Sequence, residues 1–187
     1  MNALLFPGQG SQLVGMGSEF YDKFDLVKKI FNDADKKLNF SISKLILNGP
    51  ADQLQLTENT QPAILTVSYS IFQVLTNEFG FDQNKLKYFA GHSLGEYSAL
   101  LCSNSIKFED AIYLLHERGK AMQEAVPEGK GGMLAVLGTT IEEIKTYIQN
   151  IEKKKVCEIA NDNSIGQIIV SGDIESVKKL QGILKHN

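Results

Sequence analysis

The segment Tyr88–Tyr97 places a serine between an apolar run and a helix-forming stretch. The apolar residues 88–90 stop at Gly-His-Ser-Leu-Gly (residues 91–95), and good helix formers follow. This order predicts a strand, a tight turn and a helix, with Ser93 at the apex of the turn. Glycines two residues before and after the serine remove Cβ atoms that would clash in a strained turn. The pattern therefore indicates a serine nucleophile at a helix N-terminus, where N–H groups favour negative charge. The alternative is a glycine-rich N-cap in which Ser93 is the capping residue.

Length and composition restrict the class of protein. The 187 residues suffice for one substantial core, or for a core and a small lobe. The net charge of −3 and the pI near 5.6 argue against a nucleic-acid-binding protein. Cys102 and Cys157 are expected to be buried thiols in a reducing compartment, without a disulfide. Neither a secretory leader nor an apolar run long enough to span a membrane is found, which favours a cytoplasmic protein.

The N-terminus predicts a short strand and a polar loop. The apolar run Ala3–Phe6 is typical of a buried parallel strand, and the glycine-rich loop Gly8–Gln12 follows it. Leu13 stands where the third glycine of a dinucleotide-binding fingerprint would fall, and no P-loop lysine follows. The backbone N–H groups of this loop could instead face an anion or a developing oxyanion.

Apolar periodicity predicts a series of helices before the serine. Their expected ranges are Ser18–Leu38, Ile42–Leu47, Ala51–Leu56 and Thr60–Phe79. In the last of these, Pro62 is expected in the first turn, where its missing N–H costs nothing. Gly80 is expected to end that helix.

A helix predicted over Phe108–Ala125 carries an arginine on its apolar face. At 100° per residue, one face collects Ala111, Leu114, Leu115, Met122 and Ala125. Arg118 falls in the middle of that face, where a guanidinium is costly to leave unpaired. Two interpretations remain open. In one, Arg118 forms an internal salt bridge. In the other, its guanidinium binds a ligand carboxylate or phosphate through two N–H groups.

The glycine-rich segment Val126–Gly132 predicts a domain boundary, so we expect a large domain over 1–127 and a small lobe over 128–187. Beyond it the pattern indicates β-α-β-β-α, which is one strand short of a ferredoxin-like lobe. The expected elements are Met133–Leu137, Thr140–Ile151, Val156–Ala160, Ile168–Ser171 and Ile174–Leu184. The three lysines of residues 153–155 are expected in a solvated turn.

A serine nucleophile needs oxyanion donors and a base. The backbone N–H of Leu94 and one from the loop around Gln9 are candidate donors. The histidines are less well placed. His92 adjoins the serine in a turn where neighbouring side chains diverge, His116 is expected on a solvated face opposite Arg118, and His186 lies in a terminal tail. Their spacing matches no metal site.

Several motifs together resemble one enzyme family. They are Phe6–Gln12, Thr60–Ala63, Gly91–Tyr97, Arg118–Gln123, Gly132-Met133 and Asn161–Gln167. In this order they resemble the malonyl-CoA:acyl carrier protein transacylase family of bacterial type II fatty-acid synthesis, over the whole chain. The resemblance implies an α/β-hydrolase-like parallel-sheet domain with an inserted ferredoxin-like small lobe, both truncated at the C-terminus.

The resemblance also implies a mechanism and a set of site residues. Ser93 would take malonyl from malonyl-CoA and pass it to the phosphopantetheine thiol of acyl carrier protein, without a bound cofactor or metal. The N–H groups of Gln9 and Leu94 would form the oxyanion hole, and Arg118 would hold the malonyl carboxylate. Gln61 and Asn163 would line the pocket. Neither a nucleic acid nor a membrane is expected as a partner.

The chain departs from the family pattern in two places. The family's catalytic histidine lies beyond the ferredoxin-like lobe, in a region that follows the last residue here, and Ile165 replaces an expected proline. We therefore expect an N-terminal portion, from a truncated gene, a split gene or a domain-level fragment, which a separate chain could complete. Because general-base assistance is worth about 10²–10⁴-fold, the isolated chain is expected to be a weak catalyst.

Two other functions remain open at this stage. One is a serine esterase or thioesterase that uses the same turn, for which a buried guanidinium has no purpose. The other is a non-catalytic remnant that binds acyl-CoA without turnover.

Overall fold

The computed structural model describes residues 2–127, 129–151 and 155–185. The chain divides into two compact units, 1–123 and 124–187. The first unit is mostly helical with a small parallel sheet, and the second is an antiparallel sheet with two helices. The predicted mixed α/β class is confirmed, as is the pairing of a parallel-sheet domain with an antiparallel lobe.

The first unit begins with a strand and ends within a long helix, whose last two residues belong to the second unit. Its elements in chain order are β1 (Asn2–Phe6), α1 (Ser18–Lys23), α2 (Asp25–Leu38), α3 (Ile42–Asn48), α4 (Ala51–Gln55), α5 (Thr57–Asn77), β2 (Leu86–Gly91), α6 (Leu94–Cys102) and α7 (Phe108–Ala125). Strands β1 and β2 pair in parallel, with Phe6 opposite Gly91. This register places the loop after β1 beside the turn that follows β2.

Helix α5 lies at the centre of the first unit. It is buried through most of its length, and helices α2, α3, α4 and α6 all pack against it. Large fully buried side chains from five helices meet in this core: Phe31, Ile42, Leu65, Leu94, Ile112 and Leu115. Burial of each such side chain contributes about 1.5–3 kcal/mol, which is enough to hold short helices that would be marginal alone.

Two helix predictions in the first unit were wrong in detail. The helix predicted over Ser18–Leu38 is broken at Phe24, whose extended backbone (φ −122°, ψ 117°) separates α1 from α2. Apolar spacing missed this break because both pieces direct side chains to the same core. Helix α5 begins at Thr57, so Pro62 lies beyond the first turn and not within it as predicted. Its missing N–H therefore leaves a carbonyl of the preceding turn without its helical donor.

Strand β1 is half-buried, whereas a fully buried strand was predicted. Leu4 and Phe6 pack with Phe72 and Ala99 of the helices, but Leu5 between them is 73% exposed. A run of apolar residues does not show whether one or both faces of a sheet are covered.

The second unit has the element order that the sequence predicts. Its elements are β3 (Gly131–Leu137), α8 (Ile141–Gln149), β4 (Cys157–Ser164), β5 (Gln167–Asp173) and α9 (Ile174–Leu184). The strands form an antiparallel sheet in the order β3-β5-β4, so α8 connects strands that are not neighbours. Its core consists of Val136, Ile144, Ile151, Cys157, Ile168, Val170 and Leu180. Of the three lysines predicted in a turn, Lys155 is exposed and pairs with Glu175, while residues 153 and 154 lie outside the described residues.

A capping box begins helix α8. The Thr140 hydroxyl accepts from the Glu143 N–H at 3.3 Å, and a Glu143 carboxylate oxygen accepts from the Thr140 N–H at 2.9 Å. The pKa of the Glu143 carboxyl is held below its usual value by hydrogen bonds from the Thr140 N–H and from the hydroxyls of Thr139 and Thr140. None of the helices in the described part of the chain is long and apolar enough to cross a bilayer.

The turn between β2 and α6 contains the closest backbone packing in the first unit. A Cβ on Gly91 would lie 1.9 Å from the carbonyl carbon of Gly95. A Cβ on Gly95 would lie 2.5 Å from the carbonyl oxygen of Phe6. The strand, the turn and the helix therefore touch backbone to backbone, and only glycine fits at both positions.

We predict that Gly91→Ala destabilises the first unit by at least about 3 kcal/mol, because the added methyl group meets backbone that cannot move independently. Gly182→Ala in α9 is the control, since a Cβ there meets nothing within 4 Å. Replacing that helical glycine should stabilise the second unit by about 0.5–1 kcal/mol. Urea unfolding followed by circular dichroism measures both changes, and an unaltered midpoint for Gly91→Ala would contradict the packing.

Both cysteines are free and buried, as predicted, and we expect them to be unreactive in the folded chain. Burial raises the pKa of the Cys102 thiol to about 12 and that of Cys157 above its usual value. At pH 8 only about one Cys102 in ten thousand would then be a thiolate. A thiol reagent should label Cys102 rapidly only after unfolding, with Cys102→Ser as the control. Rapid labelling of Cys102 in native buffer would show that this thiol is accessible in the folded chain and would contradict its burial.

Candidate active site

Ser93 lies at the apex of the turn in a backbone conformation that side-chain-bearing residues rarely adopt. Its φ is 54° and its ψ is −112°, and its side chain makes no capping hydrogen bond to α6. The interpretation of Ser93 as a conventional N-cap is therefore not supported. Its side chain is exposed, and its Oγ accepts a hydrogen bond from Arg118. A strained and exposed hydroxyl at a helix N-terminus is the arrangement expected of a nucleophile.

The loop after β1 packs against this turn. A Cβ on Gly8 would lie 2.8 Å from both the carbonyl oxygen and Nδ1 of His92. Across residues 2–127, the backbone N–H groups of Gln9 and Leu94 donate to no acceptor. The Gln9 side chain donates to the Thr57 hydroxyl at 3.4 Å, which connects the loop to the start of α5. Two unused donors beside a serine match the requirement for an oxyanion hole.

Arg118 reaches the serine from helix α7. Its Nη2 donates to Ser93 Oγ at 3.0 Å, and its Nη1 donates to Gln61 Oε1 at 2.6 Å. The guanidinium carbon lies 6.0 Å from the centre of the Tyr97 ring. Within the described ranges no carboxylate pairs with Arg118, so the interpretation as an internal salt bridge is not supported. Its contacts are neutral groups that a stronger anionic ligand can displace.

The face of α7 that is buried differs from the predicted face. The buried residues are Phe108, Ala111, Ile112, Leu115 and Gly119. Leu114 and Met122, which were predicted to be buried, are 47% and 46% exposed. Arg118 is half-buried at the edge of the buried face and not at its centre. The prediction was displaced because it omitted Ile112 and Gly119, both of which are buried, and Gly119 lies against the backbone of α5.

Gln61 holds the guanidinium from helix α5. It is fully buried, and its Nε2 donates to the Met122 sulfur at 3.3 Å while its oxygen accepts from Arg118. Met122 and Tyr97 were not recognised from the sequence as site residues. Met122 lies four residues after Arg118, and Tyr97 lies four residues after Ser93. This helical spacing from a predicted site residue is the signal that could have found them.

The histidines differ in their surroundings. His92 is exposed beside the glycine-rich loop. His116 is half-buried, and not solvated as predicted, because its Nδ1 hydrogen-bonds the Glu58 carbonyl oxygen at 3.0 Å. The ring of Phe40 packs against it with centroids 5.4 Å apart. His186 lies outside the described residues.

Asn163 belongs to the second unit. It lies in β4 at a register irregularity between Asp162 and Ser164, and it is exposed. Ile165, which stands where a proline was expected, is fully exposed in the turn between β4 and β5. The pocket role of Asn163 stays a prediction. The structure brings together Ser93, Arg118 and Gln61 in the first unit, with the Gln9 loop against the turn.

Comparison with known proteins identifies the same enzyme family that the sequence motifs resemble. The model of the acyl transferase domain family matches residues 3–186. A malonyl CoA-acyl carrier protein transacylase of Bacillus subtilis strain 168 is 42% identical over 186 residues, which are 99% of this chain and 57% of that protein. The chain thus spans between half and two thirds of the length of its relatives.

Solved structures agree with this match. An acyl-carrier-protein S-malonyltransferase from Bartonella henselae superimposes with a TM-score of 0.92 at 39% identity, covering 100% of this chain and 60% of that one. A malonyl-transacylase solved in complex with a type II PKS acyl-carrier protein gives 0.90 at 39% identity, covering 98% and 59%. The chain therefore belongs to the acyl transferase domain family, and the resemblance to malonyl CoA-acyl carrier protein transacylases that its motifs indicated is confirmed.

Proposed function

We propose that this chain carries the acylation site of a malonyl transferase. Ser93 takes the malonyl group from malonyl-CoA as an ester, and the phosphopantetheine thiol of acyl carrier protein then removes it. The observation that carries this proposal is the hydrogen bond of 3.0 Å between Arg118 Nη2 and Ser93 Oγ. It puts a fixed positive charge next to the nucleophile, within the length of a three-carbon diacid.

The guanidinium supports selectivity for an acyl group that bears a carboxylate. A malonyl carboxylate that displaces Gln61 and Ser93 from Arg118 gains two charge-assisted hydrogen bonds. The thioester carbonyl, which is two bonds away along the malonyl chain, is then brought towards Ser93 Oγ. An acetyl group has no such anchor, so its carbonyl is not oriented and its attack loses the advantage of proximity.

The addition step uses the donors beside the serine. Attack of Ser93 Oγ on the thioester carbonyl forms an Oγ–C bond, transfers the hydroxyl proton to a base or to water, and places negative charge on the carbonyl oxygen. The N–H groups of Gln9 and Leu94 stabilise that charge, and collapse of the adduct expels the coenzyme A thiolate. Transfer repeats these steps in reverse order with the phosphopantetheine thiol as nucleophile. No bound cofactor is needed for either half-reaction.

The base is proposed from the resemblance to the family. It implies a histidine beyond the ferredoxin-like lobe, in a part of the relatives that this chain does not span. His116 is already engaged with a backbone carbonyl and is not proposed for this role. Without general-base assistance the rate of acylation falls by about 10²–10⁴-fold, which still permits a slow single turnover.

We predict that malonyl-CoA adds one malonyl group to the chain and that the adduct maps to Ser93. Intact mass spectrometry after mixing measures it, with acetyl-CoA as the comparison thioester. Ser93→Ala should abolish the adduct. Arg118→Ala should slow malonylation by at least about tenfold while acetylation changes much less, because only malonyl uses the guanidinium. Faster acetylation than malonylation would favour an esterase-like site, and the absence of both adducts from a folded chain would favour a binding remnant.

We predict that the malonyl-serine ester reacts faster with a thiol than with water. Adding holo acyl carrier protein or pantetheine to the isolated adduct should shorten its lifetime and move the malonyl group to the thiol. Apo acyl carrier protein, which has no phosphopantetheine arm, is the control. Equal decay with and without the thiol would identify a hydrolase and contradict the transfer step.

A further inference from the structure

Pro62 leaves the Glu58 carbonyl, near the start of α5, without its helical donor. In an α-helix the carbonyl of Glu58 would accept from the N–H of residue 62, four positions later. Because α5 begins at Thr57, this hydrogen bond would be internal to the helix, and proline has no N–H to form it. A half-buried backbone oxygen without a donor is costly, so another group must supply one.

His116 supplies that donor from the neighbouring helix. Its Nδ1 lies 3.0 Å from the Glu58 carbonyl oxygen. Since a carbonyl can only accept, Nδ1 must carry the proton, and this determines the tautomer of the neutral ring. Phe40 packs against the imidazole and restricts its rotation. The contact thus joins α7 to the one turn of α5 in which the backbone is interrupted.

Gly119 places the two helices in close contact at the same level. A Cβ at this position would lie 2.4 Å from the Glu58 Cα and 2.7 Å from the Thr57 carbonyl oxygen. The backbones of α7 and α5 therefore touch there. This close approach limits the distance between α5 and α7. The hydrogen bond from His116 limits how far α7 can slide along the axis of α5.

Each helix carries a residue of the acylation site within one turn of this contact. Arg118 lies two residues after His116, and its partner Gln61 lies three residues after Glu58. A shift of α7 along α5 would move the guanidinium away from Gln61 Oε1 and from Ser93 Oγ. The geometry of the site is therefore expected to depend on the contact at Glu58.

We infer that His116 is a positioning residue that holds Arg118 in place through the Glu58 carbonyl freed by Pro62. It touches neither substrate nor nucleophile in this proposal. Its effect on malonyl selectivity rests on the function proposed above, whereas its effect on the guanidinium does not. The two can therefore be tested separately.

The first test observes the guanidinium directly. Arg118 is the only arginine in the sequence, so chain labelled with ¹⁵N-arginine gives NMR signals from this one side chain. In the wild type we expect hindered, slowly exchanging Nη protons and an imidazole of His116 with its proton on Nδ1. His116→Leu removes the donor and should shift these arginine signals towards those of free arginine. His116→Asn, whose amide nitrogen takes the place of Nδ1, should restore them.

The second test is a double-mutant cycle with the proline. Pro62→Ala returns a helical N–H to the Glu58 carbonyl, so His116→Leu should then have less effect. On the wild-type background we expect His116→Leu to slow malonylation of Ser93 by about tenfold or more and acetylation much less. On the Pro62→Ala background, His116→Leu should slow malonylation by no more than about threefold. The double variant also provides a folded chain should His116→Leu alone be unstable.

The outcomes separate the two proposals. Arginine signals that are unchanged in His116→Leu would overturn the positioning role, whatever the activity. Equal slowing of malonyl and acetyl transfer, or an equal loss on both proline backgrounds, would do the same by showing a general structural defect. If wild-type chain forms no malonyl adduct, the proposed function fails, and the arginine signals still decide the role of His116.

Discussion

The site depends on a backbone contact between β1, β2 and α6. Gly91 and Gly95 approach so closely that neither can carry a side chain, and Gly95 also touches the end of β1. This contact forces the turn between them into the conformation that exposes Ser93. It also brings the loop after β1 beside the turn, because Phe6 is paired with Gly91 in the parallel sheet. Main-chain packing thus places Ser93 beside the loop that carries the Gln9 N–H.

Helices α5 and α7 supply the second half of the site. Their close approach at Gly119 allows Arg118 to reach Gln61 and the serine, while the core below them holds α7 through Ile112 and Leu115. The guanidinium carries a charge that no carboxylate of the described chain neutralises. Its present partners are an amide oxygen and a hydroxyl, and both cost little to displace compared with the gain from a bidentate carboxylate. Arg118 is therefore available to an anionic ligand, as the proposed function requires.

The sequence alone predicted the parts of the fold that depend on local pattern. The strand, turn and helix around Ser93 follow from glycine spacing, and α7 begins and ends where its composition indicates. The order of elements in the second unit was also predicted, because the spacing of apolar residues differs between its strands and helices and turn residues separate them. The contact between Arg118 and Ser93 could be expected only from the family resemblance, because periodicity does not show which helices are neighbours.

Other features required the three-dimensional structure. The break at Phe24 and the early start of α5 at Thr57 both depend on packing that short sequence windows do not contain. The exposure of Leu5 depends on what covers a sheet face, and the role of His116 depends on a carbonyl 58 residues away in the chain. A histidine on the polar side of a helix is normally solvated, whereas His116 packs against Phe40 and bonds the Glu58 carbonyl that Pro62 leaves without its helical donor.

In the proposed function, Arg118 binds the carboxylate of the acyl donor beside Ser93. Because the chain has a single arginine, modification by phenylglyoxal reports on this residue alone, and it does not require turnover. The measurement we would make is the rate of Arg118 modification in Ser93→Ala chain, by peptide mass spectrometry, with malonyl-CoA or acetyl-CoA present. We expect malonyl-CoA to protect Arg118 from modification and acetyl-CoA at the same concentration to protect it far less. Equal protection by the two thioesters, or none by malonyl-CoA, would contradict it.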